Sequence, residues 1–240
     1  MKLAVNEIFG PTVQGEGPSM GRQAVFLRLA LCNLKCSWCD TKYTWDWKGE
    51  FGVAYKRADE IHLLDIKRVL DGLYDHLPED YLVKPLLVVS GGEPMLQSKG
   101  LLELIELLPN RFVGDVEIET NGTIEPFDSS LGAYVTFNVS PKLGNSGNPW
   151  PKRMLSDYYV KEAPRARFKF VVTCVEDLDE VELLIYAYGI ENYKVWIMPE
   201  GTQDFALNTR LAALADEAIV RGWNLTTRMH VLLWGNRRAI

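Results

Sequence analysis

The sequence predicts an α/β fold: a partial, open (β/α)6 TIM-like barrel. Two observations carry this. Short apolar runs alternate with segments of helical periodicity, the mark of βα units around a parallel sheet, and polar or glycine-rich turns recur at the carboxyl ends of those runs. About six units can be counted, where eight would close a full barrel of roughly 250 residues. An open doubly wound sheet is the alternative, and both folds place ligands at the carboxyl ends of the strands. Residues 1–240 are expected to form a single domain.

Ala24–Ala30 (AVFLRLA) reads as the first strand. Leu63, Ile66, Leu70 and Leu73 recur at helical spacing and predict a helix from Asp59 to Asp75. Leu86–Ser90 is a continuous apolar run ending at Gly91-Gly92, as expected of a buried parallel strand. Leu101, Leu104, Ile105 and Leu108 mark the next helix, with Pro109 as its stop. Val116–Glu119, Tyr134–Ser140, Phe168–Thr173 and Val195–Met198 read as further strands. Leu178, Val181, Leu184, Ile185 and Tyr188 form a helical face closed by Gly189. Leu207, Leu211, Leu214, Ala218 and Ile219 form another, ending near Gly222. Thr226–Leu233 is expected as a last strand.

At 47% hydrophobic and 24% charged, the composition suits a soluble globular protein. A net charge of −6 argues against broad nucleic-acid or membrane-surface binding, since both need a basic excess. No apolar run is long enough to span a bilayer. The opening Met1–Glu7 meets an acid too soon for a signal peptide, so a cytoplasmic location is expected. In a reducing compartment, clustered cysteines are metal ligands or catalytic groups more often than disulfides.

Cys32, Cys36 and Cys39 form a C-x3-C-x2-C run. Thiolates this close on one loop can converge on one inorganic body, and iron–sulfur clusters prefer thiolates. A cubane has four iron corners, so three cysteines leave one iron open for a substrate, whereas an electron carrier normally uses four. The competing metal is zinc, which asks for four ligands. Here Cys174 is distant and His62, His76 and His230 stand alone. Cys174 is read as a small core residue.

Ser90-Gly91-Gly92-Glu93-Pro94 follows an apolar strand, and glycine allows close approach of a ligand to the backbone, which suits Gly92 to holding an ammonium. Glu119-Thr120-Asn121-Gly122 is by default an Asn-Gly turn. Ser140-Pro141-Lys142 supplies donors for a carboxylate or ribose, and Lys169 faces either the barrel lumen or solvent. Gln14 and Glu16, set between glycines, offer donors and acceptors to the edge of an amide-rich heterocycle, and Arg28 could fork onto a carboxylate.

The C-x3-C-x2-C run with Trp38 before its last cysteine, followed by the GGEP motif, resembles the radical S-adenosylmethionine superfamily. That resemblance implies a barrel of the radical SAM type and a [4Fe-4S] cluster on Cys32, Cys36 and Cys39. The open iron would be chelated by S-adenosylmethionine, whose cleavage yields a 5′-deoxyadenosyl radical. EIFGPTVQGEG, CNLKCSWCDTKYTWDW, SGGEPMLQ, ETNGT, SPK and the terminal LLWGN are similar to the 7-carboxy-7-deazaguanine synthase family of queuosine biosynthesis, over nearly the whole chain. The family's activity, as the resemblance implies it, is a lyase reaction that converts 6-carboxy-5,6,7,8-tetrahydropterin to 7-carboxy-7-deazaguanine with loss of ammonia.

Carried onto this sequence, Val13, Gln14, Gly15, Glu16, Arg28 and Ser90 would meet the pterin, and Thr41 would bind Mg2+. Gly92, Ser140, Pro141, Lys142 and the turn Met198, Pro199, Glu200, Gly201 would bind S-adenosylmethionine, although that turn departs from other members in its side chains. The resemblance further implies a homodimer and an electron donor such as flavodoxin or ferredoxin. A glycyl-radical activating enzyme would share the cysteines and GGEP but has no use for a pterin-sized polar pocket. A zinc-stabilised binding module is the other alternative.

Overall fold

The computed structural model describes residues 1–77, 84–108 and 116–240. Nine strands form one sheet among these residues: β1 (Lys2–Val13), β2 (Gln23–Leu29), β3 (His62–Asp65), β4 (Leu86–Gly91), β5 (Val116–Thr120), β6 (Thr136–Val139), β7 (Arg167–Val172), β8 (Val195–Pro199) and β9 (Asn224–Leu225). Their spatial order is β3-β1-β2-β4-β5-β6-β7-β8-β9. From β2 to β9 every neighbouring pair is parallel, whereas β1 pairs antiparallel with both β2 and β3. The six longer parallel strands, β2 and β4 to β8, are those of a partial (β/α)6 barrel. It stays open because β3 and β9 end the sheet without pairing with each other.

The helices are α1 (Arg57–Glu60), α2 (Ile66–Asp75), α3 (Ser98–Leu107), α4 (Leu131–Tyr134), α5 (Tyr158–Lys161), α6 (Asp177–Tyr188), α7 (Asp204–Val220) and α8 (Met229–Trp234). Strand residues alternate between two environments, as the period-2 geometry of a strand requires. Leu27, Leu29, Val89, Ile118, Phe137 and Phe170 join the main core, together with Val69 and Leu73 of α2, Leu101 and Leu104 of α3 and Val181 of α6. Each such buried side chain stabilises the fold by about 1.5–3 kcal/mol relative to exposure. The intervening residues Phe26, Arg28, Ser90, Glu119, Asn138, Lys169, Val171 and Met198 face the opposite way and line one cavity. The fold thus puts apolar side chains outward under the helices and gathers polar ones, with Phe26, Val171 and Met198, inward.

Four sequence expectations need correction. Lys2–Val13 carried no strand expectation, yet it forms the longest strand of the sheet. Its apolar alternation is broken by register shifts between Val5 and Glu7 and between Phe9 and Thr12, and Pro11 within it argues against a strand. The helix expected from Asp59 starts instead at Ile66, because His62–Asp65 pair with Lys2–Val5 as an edge strand. Asp65 caps that helix by accepting the Arg68 N–H at 2.9 Å. The strand expected at Tyr134 begins at Thr136, after α4. Thr226–Leu233 is not a strand: β9 ends at Leu225, and α8 starts after the Met229 N–H has bonded to Gly15 O at 2.8 Å. The proposed stop at Pro109 lies outside the described residues. Among the described residues, no helix is long and apolar enough to cross a membrane.

Candidate active site

The cavity encloses about 520 Å3 at the carboxyl ends of the strands, a volume suited to a small-molecule ligand. One end is the cysteine loop that follows β2: Cys32, Cys36, Cys39 and Thr41 all line it. Leu31, just before Cys32, has a left-handed φ of 77°, a conformation that costs a non-glycine residue about 1–3 kcal/mol unless its surroundings impose it. They do: the Leu31 N–H donates to Thr44 O at 2.8 Å, and Leu31 O accepts from the Glu93 N–H at 2.8 Å. A Cβ on Gly92 would lie 1.9 Å from that same Leu31 oxygen, and one on Gly91 would lie 2.0 Å from Leu29 O. Both glycines are therefore required by the backbone entering the cysteine loop, a tighter constraint than the ligand approach expected of Gly92. Gly92 lines the cavity nonetheless.

Each cysteine sulfur has an N–H near it. The Leu34 backbone points at Cys32 Sγ (3.5 Å), the Asn148 carboxamide at Cys36 Sγ (3.3 Å) and the Trp45 indole at Cys39 Sγ (3.4 Å). Burial pushes the free Cys32 thiol up to about 12 and raises that of Cys36 too. Unliganded thiolates here would be costly, and a cationic metal is the natural counter-charge. Among the described residues, no three His, Cys, Asp or Glu side chains are gathered to hold a single metal ion. A cubane asks something different, one thiolate for each of three separate iron corners. Three cavity-lining cysteines with a hydrogen-bond donor each fit that group.

The other end of the cavity is a buried ion network. Glu16 accepts from Lys169 Nζ and from Arg228 Nε (2.9 Å). Burial works to raise the Glu16 pKa, but the charges of Lys169 and then Arg228 outweigh it and hold the carboxylate well below its usual range. Arg228 also bonds Gly201 O at 2.6 Å and the Asp40 carboxylate. It thereby ties the expected cofactor turn to the residue after Cys39. Lys169, left open between lumen and solvent, points inward, buried, with Glu119 at 3.9 Å on its other side. The Gln14 carboxamide donates to Glu117 (2.8 Å) and Glu119 (3.2 Å). It is therefore part of the wall, more than the free edge-reader the sequence suggested.

Of the remaining expected residues, Ser90, Arg28, Val13 and Gly15 all line the cavity. Arg28 is not free to fork onto a ligand with its whole guanidinium, since its Nε donates to Glu7 at 2.7 Å. Lys142 donates to Ser140 Oγ at 2.8 Å and both face the cavity, as do Met198, Glu200 and Gly201. The Glu200 carboxylate is taken by Arg210 at 2.5 Å, the same guanidinium donates to Glu200 O, and the Glu200 N–H donates to Val172 O at 2.8 Å, so this residue is held by the protein itself. Pro141 and Pro199 fall outside the lining. Cys174 is exposed, contrary to the core position expected of it. Asp40, Asn138, Arg228 and Arg238 carried no expectation and line the cavity, as do Glu119, Thr120 and Asn121 of the strand-end motif. The alternation Val116-Glu117-Ile118-Glu119 was a legible signal for inward carboxylates. Arg228 and Arg238 had none, because a mistaken last strand covered one and no pattern the other.

A family model described as a 4Fe-4S single cluster domain matches residues 13–142, which contain the cysteine loop and the glycine-rich turn. The class is thus a [4Fe-4S] protein on an open α/β barrel. At full length the relatives are more specific. The 7-carboxy-7-deazaguanine synthase of Pyrobaculum aerophilum is 38% identical, covering 99% of this chain and 97% of the relative. That of Bacillus subtilis is 29% identical, covering 99% and 98%. The crystal structure of QueE from Escherichia coli superposes with a TM-score of 0.69 at 28% identity, covering 95% of each chain. The chain belongs to the 7-carboxy-7-deazaguanine synthase family.

Proposed function

We propose that the chain is a radical S-adenosylmethionine lyase that converts 6-carboxy-5,6,7,8-tetrahydropterin to 7-carboxy-7-deazaguanine and ammonia. The full-length relationship to the 7-carboxy-7-deazaguanine synthases supports this reading. The observation that carries it is one cavity joining the three cysteines to the Glu16–Lys169–Arg228 network. Cys32, Cys36 and Cys39 ligate the cluster. When bound and reduced, that cluster would supply the electron that cleaves S-adenosylmethionine, whose 5′-deoxyadenosyl fragment would carry the radical.

The chain's own residues position and insulate the reactants. Gly92, Ser140, Pro141, Lys142 and the turn Met198, Pro199, Glu200 and Gly201 hold S-adenosylmethionine, the prolines through loop geometry only. Val13, Gln14, Gly15, Glu16, Arg28 and Ser90 take the pterin. Loss of ammonia leaves the substrate's overall oxidation level unchanged, so a radical must be generated and then quenched within the site. The wall of buried charges is suited to holding a polar heterocycle while water is kept out. Thr41, whose hydroxyl lies 3.5 Å from Cys39 Sγ at the cavity wall, would contribute one oxygen to Mg2+, a cation that keeps few protein ligands.

The same reading takes residues 1–240 as one radical SAM domain, since a single sheet and one core cluster running from Leu3 to Trp223 support it. It also takes the protein to be a cytoplasmic homodimer served by a flavodoxin or ferredoxin. The test is anaerobic reconstitution followed by incubation with carboxytetrahydropterin, S-adenosylmethionine, Mg2+ and a reductant. The deazapurine acid and ammonia should form in equal amounts. Deoxyadenosine without the deazapurine would overturn the substrate, and a reconstituted protein without iron and sulfide would overturn the cluster.

A further inference from the structure

Three side chains outside the cysteine motif meet its sulfurs: Thr41, whose hydroxyl can donate to or accept from Cys39 Sγ at 3.5 Å, and Asn148 and Trp45, which the geometry fixes as donors. Asn148 belongs to the loop after β6 and lies 112 positions from Cys36. Its Oδ1 accepts the Lys35 backbone N–H at 3.0 Å, which leaves Nδ2 no choice but to face Cys36 Sγ at 3.3 Å. A carboxamide can be placed either way round on shape alone, but the Lys35 donor settles the orientation. Ser146 Oγ, at 3.2 Å from the same Nδ2, holds the amide in place, and the Ser37 N–H donates to Ser146 O at 3.0 Å. Asn148 is 7% exposed, so this amide does not exchange its partner for water.

Trp45 reaches Cys39 Sγ from the other side. An indole N–H can only donate, and it lies 3.4 Å from the sulfur. The ring is held edge-on against Phe51, with centroids 5.5 Å apart and planes at 70°. Among the described residues, the remaining cysteine, Cys32, meets the Leu34 backbone N–H, at 3.5 Å, and no side-chain donor. Two of the three ligand sulfurs are therefore served by side chains that a single substitution can remove.

We propose that Asn148 and Trp45 are positioning residues that set the reduction potential of the cluster. This rests on the assignment of Cys32, Cys36 and Cys39 as its ligands. Reduction adds one electron to a cluster whose charge is shared with its thiolates. An N–H aimed at a thiolate stabilises the more negative, reduced form more than the oxidised one. Removing a donor then lowers the potential and makes the electron harder to deliver. The two donors act on different sulfurs, so their effects add.

The experiment compares wild type, Asn148→Ala, Trp45→Phe and the double variant as reconstituted proteins. Iron and sulfide are counted first. The midpoint potential is then read by an anaerobic titration followed through the electron spin resonance of the reduced cluster, without S-adenosylmethionine. Trp45→Phe keeps the ring packed on Phe51 and removes only the N–H, so it covers the case in which Asn148→Ala loosens the loop. Each single variant should show about tenfold less reduced cluster at a fixed poise, a shift of about 59 mV for a one-electron couple, with full iron content. The double variant should show the sum. Unchanged midpoints in fully loaded variants would overturn the proposal. A variant that loses iron while its residual cluster keeps the wild-type midpoint would overturn it too, by giving that residue a purely structural role. Wild type without iron or without the reduced-cluster signal would instead sink the ligand assignment itself.

Discussion

Glu93 Oε2 accepts the backbone N–H of Asn121 at 2.7 Å, which binds the glycine-rich turn after β4 to the turn after β5. The same carboxylate accepts the Met95 N–H at 2.9 Å and the Thr120 hydroxyl at 2.7 Å, and the residue is fully buried. Three donors therefore depend on one side chain. Glu93→Ala should destabilise the protein by about 3 kcal/mol, because buried donors left without an acceptor lose their full desolvation cost. Glu93→Gln, which retains an acceptor oxygen, should lose about half as much. Urea midpoints of the two variants against wild type measure this, and equal midpoints would show that the turns are held by other means.

Gly15 is constrained from across the cavity. A Cβ there would lie 2.0 Å from His230 Nδ1 and 2.8 Å from its Cγ. The neighbouring Gly15 O accepts the Met229 N–H that starts α8, so the ring cannot withdraw without moving that helix. Gly15→Ala should cost about 1–3 kcal/mol as an overpacked site and should raise KM for the pterin. His230→Ala in the same chain should restore most of the stability. A double-mutant cycle from thermal or urea unfolding reads the coupling; strictly additive losses would mean the two residues do not press on each other.

The parts of this site that the sequence revealed are those whose chemistry is local. Cys32, Cys36, Cys39 and the Gly91-Gly92 turn are contiguous motifs, and their spacing already limits what they hold. The outward faces of β2, β4, β7 and β8 were legible for a similar reason, since continuous apolar runs announce buried strands. What escaped was set by distant partners. β1 hides because Pro11 and two register shifts break its period, and only the exposed edge of β2 gives it a place. His62–Asp65 share the helical periodicity of α2 but pair with β1 instead, a case of tertiary pairing overriding local pattern. Arg228 carries no motif. It matters because Glu16, Asp40 and Gly201 come to it from three other segments.

Glu16 sets an acid limit on stability. Its folded pKa is depressed below the ordinary 4.5: burial opposes ionisation, and Lys169 and Arg228 override burial. A depressed carboxylate contributes stability that is present above its unfolded pKa and is lost as pH falls toward the folded one. The loss should therefore start near pH 4.5 and continue downward. While only the unfolded state takes up the proton, the slope is about 1.4 kcal/mol per pH unit. Glu16→Gln should be destabilised by about 3 kcal/mol at pH 7, since it strands two buried cations. It should also show a shallower fall below pH 4.5. Urea midpoints from pH 7 to pH 3 test this, and parallel curves for the two proteins would mean that Glu16 is not held ionised by its partners.

Arg238 lines the cavity beside Tyr43, four positions beyond Cys39. It donates to Glu7 Oε2 at 2.9 Å, to Glu60 Oε2 at 2.8 Å and to Asn6 Oδ1 at 3.1 Å, and its guanidinium lies 4.0 Å over the Tyr43 ring. The side chain is 40% exposed, so solvent screening limits its stability contribution to about 1 kcal/mol or less. Its role is positional: residues 236–240 line the cavity and Arg238 is what pins them. Glu7 is shared, because its other oxygen receives Arg28 at 2.7 Å. Arg238→Ala should therefore leave Arg28 in place on Glu7 while freeing the tail. We expect KM for the pterin to rise about tenfold, equivalent to about 1.4 kcal/mol, with kcat, iron content and melting temperature little changed. Because the contact is partly exposed, raising salt from about 0.05 to 0.5 M should weaken pterin binding in wild type through screening. In Arg238→Ala that salt sensitivity should be reduced. A variant with wild-type KM and wild-type salt dependence would show that the tail does not bear on the substrate.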